Sequence, residues 1–193
     1  MALRRMCVFC GSSLGSRPAY AKVTAALGVE MAARGVGLVY GGAHVGLMGL
    51  LADTCGAAGG EVVGVIPQSL VESEVAHRDL ADLRVVGSMH ERKALMAELS
   101  DGFVALPGGL GTLEEFCEVL TWSQLGLHDP PKPCGLLDVA GYFEPLLALF
   151  DARVAEGFVR PEHRRLVLAS TDPAELLDAL AAWEPPPPVR KWV

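Results

Sequence analysis

The stretch GFVALPGGLGTLEEF, residues 102–116, joins a short apolar run to a glycine-rich turn and then to a segment that opens a helix. The run GFVAL has the length of a buried strand, and glycine is the residue best suited to a tight turn after it. A strand followed by such a turn and a helix is the repeating unit of a parallel α/β sheet. This stretch therefore indicates the fold class.

The same alternation of strand and helix extends along the whole chain. Helix-length segments with apolar residues three and four positions apart, such as YAKVTAALGVEMAARG, separate most of the apolar runs. We therefore predict an α/β, Rossmann-like, doubly wound and mainly parallel sheet of about seven strands with helices on both faces. Ligands of such sheets bind beyond the carboxyl ends of the strands. The predicted strands are MCVFC, GLVY, EVVGVI, LRVV, GFVAL, CGLLDV and RLVLAS.

Length and composition limit the kinds of protein that this sequence can encode. The 193 residues contain no low-complexity linker, so we predict one domain over residues 1–184 and a Pro-rich tail over residues 185–193. The formal net charge of −7 argues against a nucleic-acid partner. No apolar run approaches ~18 residues, so we expect no membrane partner and a cytoplasmic location.

The scattered cysteines and histidines suggest neither a disulfide framework nor a metal site. Cys7 and Cys10 form a CxxC, but within an apolar run, and are predicted to be buried.

Three predicted strand ends carry glycine, in GSSLGS, GGAHVGLMG and PGGLGT. Tight packing of turns explains any one of them, but three at one edge of a sheet favour a ligand site. The P-loop pattern is absent, and GLGTLE lacks the third glycine of a dinucleotide motif. What remains is a helix N-terminus with free backbone N–H groups and the hydroxyl of Thr112, which suits a single phosphate.

Two charged pairs follow strands at the same predicted edge. Glu114 and Glu115 differ by about 100° in direction on a helix, so only one of them is expected to face the cleft. Arg92 and Lys93, in MHERK, are placed in the first turn of a helix, where cations oppose the dipole, and this suggests an anionic ligand. The alternatives are that the glutamates only favour the helix dipole, and that the cations are solvated and bridged to Glu91 or Glu98.

Several motifs together resemble the Lonely Guy (LOG) family of nucleoside 5′-monophosphate phosphoribohydrolases, which activate cytokinins. PGGLGTLEE matches the family pattern PGGxGTxxE, and MHERK matches MHxRK. CVFCGSS, YGGAHVGLMG, GVIP and GYFEP are also similar to the family, so the resemblance extends from about Cys7 to near Trp183. The segment HDPPKPCG and the tail EPPPPVRKWV depart from the family pattern.

The resemblance implies an activity and a set of site residues. It implies hydrolysis of the N-glycosidic bond of cytokinin riboside 5′-monophosphates or AMP to a free base and ribose 5-phosphate, without cofactor or metal, by a homodimer. Arg92 and Glu115 would be the catalytic pair. The substrate-contacting residues would be Glu74, Met89, Lys93, Gly108, Gly109, Gly111, Thr112 and Thr121.

Two other functions remain open at this point. A glycine-rich helix start also suits the phosphate of pyridoxal phosphate, in a lysine decarboxylase with Lys93 as the anchor. A Rossmann-like carrier that binds a nucleotide or a phosphorylated cofactor without cleaving it would have the same fold.

Overall fold

The structure is a computed structural model that describes residues 3–73 and 75–186. Of the sequence-based predictions, that for Glu74 and most of that for the Pro-rich tail (residues 187–193) lie outside the described residues. The strands are β1 Arg5–Phe9, β2 Gly37–Tyr40, β3 Val62–Pro67, β4 Asp82–Val86, β5 Gly102–Ala105, β6 Cys134–Leu137 and β7 Val167–Ser170. The helices are α1 Pro18–Ala33, α2 Gly46–Ala57, α3 Gln68–Glu72, α4 Met89–Glu98, α5 Leu110–Leu125, α6 Glu144–Ala155, α7 Pro161–Arg164 and α8 Pro173–Ala181.

All seven strands form one sheet in the order β4-β3-β2-β1-β5-β6-β7. Every ladder between neighbouring strands is parallel, which confirms the predicted fold class and makes the sheet parallel throughout. The chain winds outward from β1 to β4 and then returns to place β5 on the other side of β1. The carboxyl ends of β1 and β5 therefore form the switch point at which such sheets bind ligands.

The core lies on both faces of the sheet. Along β1, Met6 and Val8 belong to one buried cluster, which α1, α2 and α8 cover, whereas Cys7 and Phe9 belong to a second, which α4 and α5 cover. Because both faces are buried, the strands read as continuous apolar runs instead of alternating ones.

The cysteines behave as the sequence predicted. Cys7 and Cys10 are buried and free, and burial raises the pKa of each thiol. A raised pKa disfavours the thiolate that redox chemistry needs. The two cysteines of this CxxC are therefore core residues and not a redox pair. Within residues 3–73 and 75–186, no helix is both long enough and apolar enough to cross a membrane.

Candidate active site

The loops that follow β1 and β5 meet through their backbones. Leu106 N donates a hydrogen bond to Phe9 O at 2.9 Å, and Gly11 N donates to Pro107 O at 3.1 Å. A Cβ built on Gly108 would lie 2.9 Å from Gly11 N, closer than real Cβ atoms approach a neighbour. Glycine is therefore required at the closest approach of the two loops.

The N-terminus of α5 opens at this junction. Gly109 is the N-cap residue and provides no side-chain cap, so the first N–H groups of the helix have neither an intrahelical partner nor a capping one. A Cβ built on Gly109 or Gly111 would meet nothing within 4 Å, whereas Thr112 is buried beside Gly108. The structure thus places Gly108, Gly109, Gly111 and Thr112, four of the predicted substrate contacts, at one helix start, with open space beside Gly109 and Gly111.

Helix α4 begins with a local cap that leaves its two cations free for other partners. Ser88 Oγ accepts a hydrogen bond from Glu91 N at 3.1 Å, and the Glu91 carboxylate accepts one from Gly87 N at 2.7 Å. Glu91 therefore completes the helix start. Helix α4 starts at Met89, so Arg92 and Lys93 are its fourth and fifth residues. They therefore lie just after the first turn, in which they were predicted.

The guanidinium of Arg92 is held from three sides. Its Nη1 donates to Glu115 Oε1 at 2.9 Å, its Nε to Val65 O at 3.1 Å and its Nη2 to Gly41 O at 3.3 Å. Met89 Sδ lies 3.3 Å from Nη1. A Cβ built on Gly41 would lie 2.0 Å from Nη2, so the guanidinium fills the space that a side chain there would need. The alternative of a solvated Arg92 bridged to a neighbouring glutamate is wrong.

Glu115 is the buried member of the two adjacent glutamates. Its side chain is 12% exposed, and burial raises the pKa of the carboxyl above its ordinary value of 4.5. The positive charge of Arg92 opposes this shift and favours the ionised form. The result is a carboxylate with little solvation and one directed partner, which is the kind of group that stabilises positive charge in a transition state.

Lys93 joins the same two helices through a second set of ion pairs. Its ammonium lies 2.6 Å from Glu114 Oε1 and 2.9 Å from Glu118 Oε2. Burial lowers its pKa, but hydrogen bonds to the two carboxylates outweigh burial and leave the pKa raised. The glutamates thus divide as predicted, with the half-exposed Glu114 paired locally. A substrate contact by Lys93 stays a prediction, and sequence reasoning missed Glu118, whose signal was its position one helical turn after Glu114.

The remaining predicted residues fall at different distances from this site. Met89 is half-exposed and lies beside Arg92. Thr121 follows Thr112 by nine positions, about 13 Å along the helix axis. Its hydroxyl donates to Cys117 O at 2.7 Å, so the structure does not bring Thr121 to the glycine turn, and its substrate contact stays a prediction.

Two residues near the turn were missed by sequence reasoning, although one lies in a quoted motif. Tyr142, in GYFEP, donates its hydroxyl to Gly108 O, and its ring makes an edge contact with Tyr20. Arg17 donates to Ala140 O at 3.2 Å, in the same loop as Tyr142. A cleft of about 400 Å³ lies between this loop and the start of α5; it is lined by Gly108, Gly109, Leu110, Thr112, Leu113, Tyr142, Phe143, Pro145 and Leu146.

The fold has relatives among solved structures. The molybdenum cofactor carrier protein MCP from Chlamydomonas reinhardtii matches with a TM-score of 0.70 over 94% of this chain and 100% of the carrier. The two sequences are 23% identical, so this likeness shows the fold alone.

Sequence comparisons identify closer relatives. The sequence model of a family described as "Possible lysine decarboxylase" matches residues 48–180. LOGL1 of Oryza sativa subsp. japonica, a probable cytokinin riboside 5′-monophosphate phosphoribohydrolase, is 51% identical over 90% of this chain and 77% of its own length. LOG1 of Arabidopsis thaliana, a cytokinin riboside 5′-monophosphate phosphoribohydrolase, is 46% identical over 94% of this chain and 84% of its own length. Because the family match covers more than half of the chain and these relatives align over nearly all of it, the chain belongs to the LOG family of cytokinin riboside 5′-monophosphate phosphoribohydrolases.

Proposed function

We propose that this protein hydrolyses the N-glycosidic bond of cytokinin riboside 5′-monophosphates, and of AMP, to release a free base and ribose 5-phosphate. The observation that carries the proposal is the buried pair of Arg92 and Glu115 beside the uncapped start of α5. The start of α5, which suits a phosphate, and the poorly solvated carboxylate of Glu115 lie at the same edge of the sheet. Membership of the LOG family supports the same activity.

Glu115 is the group that acts on the sugar in this proposal. Cleavage of an N-glycosidic bond develops positive charge at the ribose C1′, in a transition state that resembles an oxocarbenium ion. A carboxylate in a site of low solvation stabilises that charge, or activates the attacking water, more strongly than one in bulk water. Glu115 is 12% exposed, and the positive charge of Arg92 opposes the effect of burial on its pKa and favours the ionised form, which suits it to either role.

Arg92 orients both Glu115 and the substrate. Its guanidinium is fixed by carbonyls of β3 and of the turn after β2, so its position does not depend on the substrate. A planar fork that is already oriented loses little entropy when it meets a hydroxyl or a phosphate oxygen. We assign Arg92 to contact with the ribose or phosphate oxygens and to assistance in departure of the base.

The glycine turn binds the 5′-phosphate. The first N–H groups of α5 and the positive end of its dipole favour a dianion in front of Gly109 and Gly111. Glu115 lies one turn further along the same helix, so one end of α5 binds the phosphate while the next turn faces C1′. This arrangement explains why glycines and glutamates are adjacent in the sequence. We retain Gly108 and Thr112 as substrate contacts because they line the cleft beside this helix start, and Met89 because its sulfur lies beside Arg92.

A lysine decarboxylase with pyridoxal phosphate fits this site poorly. The aldehyde of that cofactor reacts with a neutral amine, but Lys93 is held between two carboxylates that keep it protonated. Lys132 precedes β6 and therefore lies at the amino end of the strands, opposite the glycine turn. Lys93, the anchor that the sequence suggested, is thus unsuited to the cofactor.

We further propose a homodimer in a reducing, cytoplasmic location. Exposed apolar side chains flank the site on two helices: Met89 on α4, and Leu110 and Leu113 on α5. A second copy that covers this surface would remove apolar area from water beside the substrate. The free cysteines of the described chain favour a reducing compartment. Light scattering on the purified protein measures the assembly directly.

The activity is tested with the purified protein and two substrates, AMP and isopentenyladenosine monophosphate. Chromatography of the products distinguishes intact nucleotide from free base plus ribose 5-phosphate. We expect cleavage of one or both substrates by the wild type and its loss in Glu115→Gln. Intact substrate in both reactions, with folded protein, would favour a nucleotide carrier.

A further inference from the structure

A chain of three side chains outside the described site connects β2, α2 and the segment before β4. Tyr40 Oη lies 2.9 Å from His77 Nδ1, and His77 Nε2 lies 3.3 Å from Asp53 Oδ1. Tyr40 is completely buried, the His77 side chain is 12% exposed and Asp53 is half-exposed or more. None of the three has a role in the proposed reaction.

The partners determine which nitrogen of His77 carries the proton. The Asp53 carboxylate lies 3.3 Å from Nε2 and favours a proton on that nitrogen by its negative charge, and in the neutral imidazole with this tautomer Nδ1 is an acceptor. Tyr40 therefore donates its hydroxyl hydrogen to Nδ1. A carboxylate, an imidazole and a hydroxyl in this order also occur in nucleophilic enzymes. Tyr40 is inaccessible to any substrate and burial raises its pKa, so this chain has no nucleophile.

The position of His77 relative to Gly41 indicates a structural role for these three side chains. His77 binds the residue on either side of Gly41, through its ring to Tyr40 and through its backbone N–H to Gly42 O at 2.9 Å. The carbonyl of Gly41 is in turn the acceptor of Arg92 Nη2. His77 thus fixes the short turn that positions one face of the guanidinium.

The backbone of this turn is also held elsewhere, because Tyr40 pairs with both β1 and β3, and His44 N donates to Val75 O at 3.0 Å. Gly42 has a φ of 72°, so the chain turns sharply directly after the carbonyl that Arg92 uses. The segment containing His77 is joined to the turn by an isolated antiparallel bridge between Ala43 and Ala76 and is not part of the sheet. The ring of His77 provides the side-chain contact at the start of this turn, and its loss would leave the Gly41 carbonyl positioned by backbone contacts alone.

We propose that Tyr40, His77 and Asp53 form a positioning chain for Arg92, in which the imidazole holds the Gly41 carbonyl where the guanidinium needs it. Asp53 favours the tautomer of His77 with its proton on Nε2, and Tyr40 links the ring position to the end of β2. The proposal rests on the proposed function in so far as Arg92 acts on the substrate.

The test compares four variants by kinetics and by NMR: two single changes in the chain, the double variant that combines them, and a control. Tyr40→Phe deletes one oxygen from the chain, His77→Gln removes the ring, and Tyr20→Phe is the matched control, since it deletes the hydroxyl of another buried tyrosine on α1. We expect Tyr40→Phe to lower kcat about tenfold with little change in KM, because misplacement of a catalytic group by ~1 Å costs up to about a hundredfold. The double variant should be no slower than His77→Gln, because both changes break one chain.

A second readout does not depend on activity. The Nε–H of Arg92 donates to Val65 O inside the protein, and its exchange with solvent is measurable by ¹⁵N NMR, with Arg92→Lys to assign the signal. We expect faster exchange in Tyr40→Phe and unchanged exchange in Tyr20→Phe. An inactive wild type with accelerated exchange in Tyr40→Phe would overturn the proposed function and support the positioning chain. An active wild type with Tyr40→Phe unchanged in kcat and exchange would overturn the positioning chain alone. Should His77→Gln fail to fold, Tyr40→Phe decides the question by itself.

Discussion

Arg92 Nη1 and Glu115 Oε1 lie 2.9 Å apart in a pair whose side chains are 9% and 12% exposed, and each comes from a different helix. The other ion pairs of the described chain include at least one partner that is exposed by about a quarter or more. A buried pair is costly to desolvate, so it persists where it has a function or where further hydrogen bonds satisfy it. Here the carbonyls of Val65 and Gly41 satisfy the guanidinium.

Removing one partner of this pair should destabilise the fold. Arg92→Ala leaves the Glu115 carboxylate buried without its cation, which costs on the order of 3 kcal/mol of unfolding free energy at neutral pH. Arg92→Ala/Glu115→Gln should recover part of that loss, because no uncompensated charge remains. Urea denaturation of both variants measures the difference. Equal destabilisation by the single and the double variant would show that packing, not charge, holds the pair.

Glu115→Gln separates catalysis from binding. The amide keeps the shape of the side chain and removes its charge, so we expect kcat to fall at least about a hundredfold while the Kd for AMP changes only a few-fold. Product chromatography gives the rate and calorimetry gives the Kd. A carrier gains nothing from a carboxylate here, and so undiminished turnover in this variant would remove Glu115 from the mechanism.

The sequence predicted the sheet and its ligand edge because both depend on local patterns. Apolar runs of strand length, each followed by a helical segment, specify a parallel sheet, and the glycines after β1 and β5 mark its switch point. Glu91 and Glu98, the alternative partners considered for Arg92 and Lys93, are local in sequence, whereas the partners in the structure are not. Glu115 and Glu118 lie more than 20 residues further along the chain, and only packing of α4 beside α5 brings them close.

The Tyr40–His77–Asp53 chain was likewise not predictable, because its contacts are not local in sequence. Neither periodicity nor a motif relates the end of β2, the middle of α2 and an irregular segment after α3, and each residue alone resembles an ordinary core or surface residue. By contrast, the division between Glu114 and Glu115 was predictable, since it follows from the 100° step of a single helix.

The activity should fall toward acid pH at a value above the ordinary pKa of a glutamate. Burial raises the pKa of Glu115 above 4.5, and the reaction needs its ionised form, so kcat/KM decreases as pH drops through that raised pKa. Glu114 also raises this pKa by its negative charge. Glu114→Gln should therefore move the acid limb of the profile to lower pH.

Glu118→Gln is the matched control for this shift. It too removes a carboxylate partner of Lys93, but Glu114, unlike Glu118, is among the largest causes of the raised pKa of Glu115. We expect its acid limb to coincide with that of the wild type. An equal displacement in both variants would mean that release of Lys93, and not the charge of Glu114, controls the profile.

Gly41→Ala should disable Arg92 without a direct change to it. The new Cβ would lie 2.0 Å from Nη2, so the guanidinium has to leave the Gly41 carbonyl, and we expect kcat to fall about a hundredfold. Gly56→Ala is the control, because a Cβ there meets nothing within 4 Å and alanine favours the helix. Steady-state kinetics on both variants decides. Full activity in Gly41→Ala would show that the contact with Gly41 is dispensable.

The phosphate site at the start of α5 is tested most sharply by two glycines with opposite surroundings. In Gly111→Ala the Cβ meets no protein atom within 4 Å, so it strains nothing in the protein, and we expect it to enter the space in front of the helix where we propose that the phosphate binds. Alanine also costs the helix less than glycine, and the variant should gain up to about 1 kcal/mol in unfolding free energy while its Kd for AMP rises at least about tenfold. In Gly108→Ala the Cβ would lie 2.1 Å from Thr112 Oγ1, so this variant should lose stability as well as affinity. Thermal unfolding and calorimetry on the pair separate the two effects. A gain in helix stability gives no reason for weaker binding of AMP, so a loss of affinity in Gly111→Ala would report on the phosphate site. A stabilised Gly111→Ala that binds AMP like the wild type would place the phosphate elsewhere.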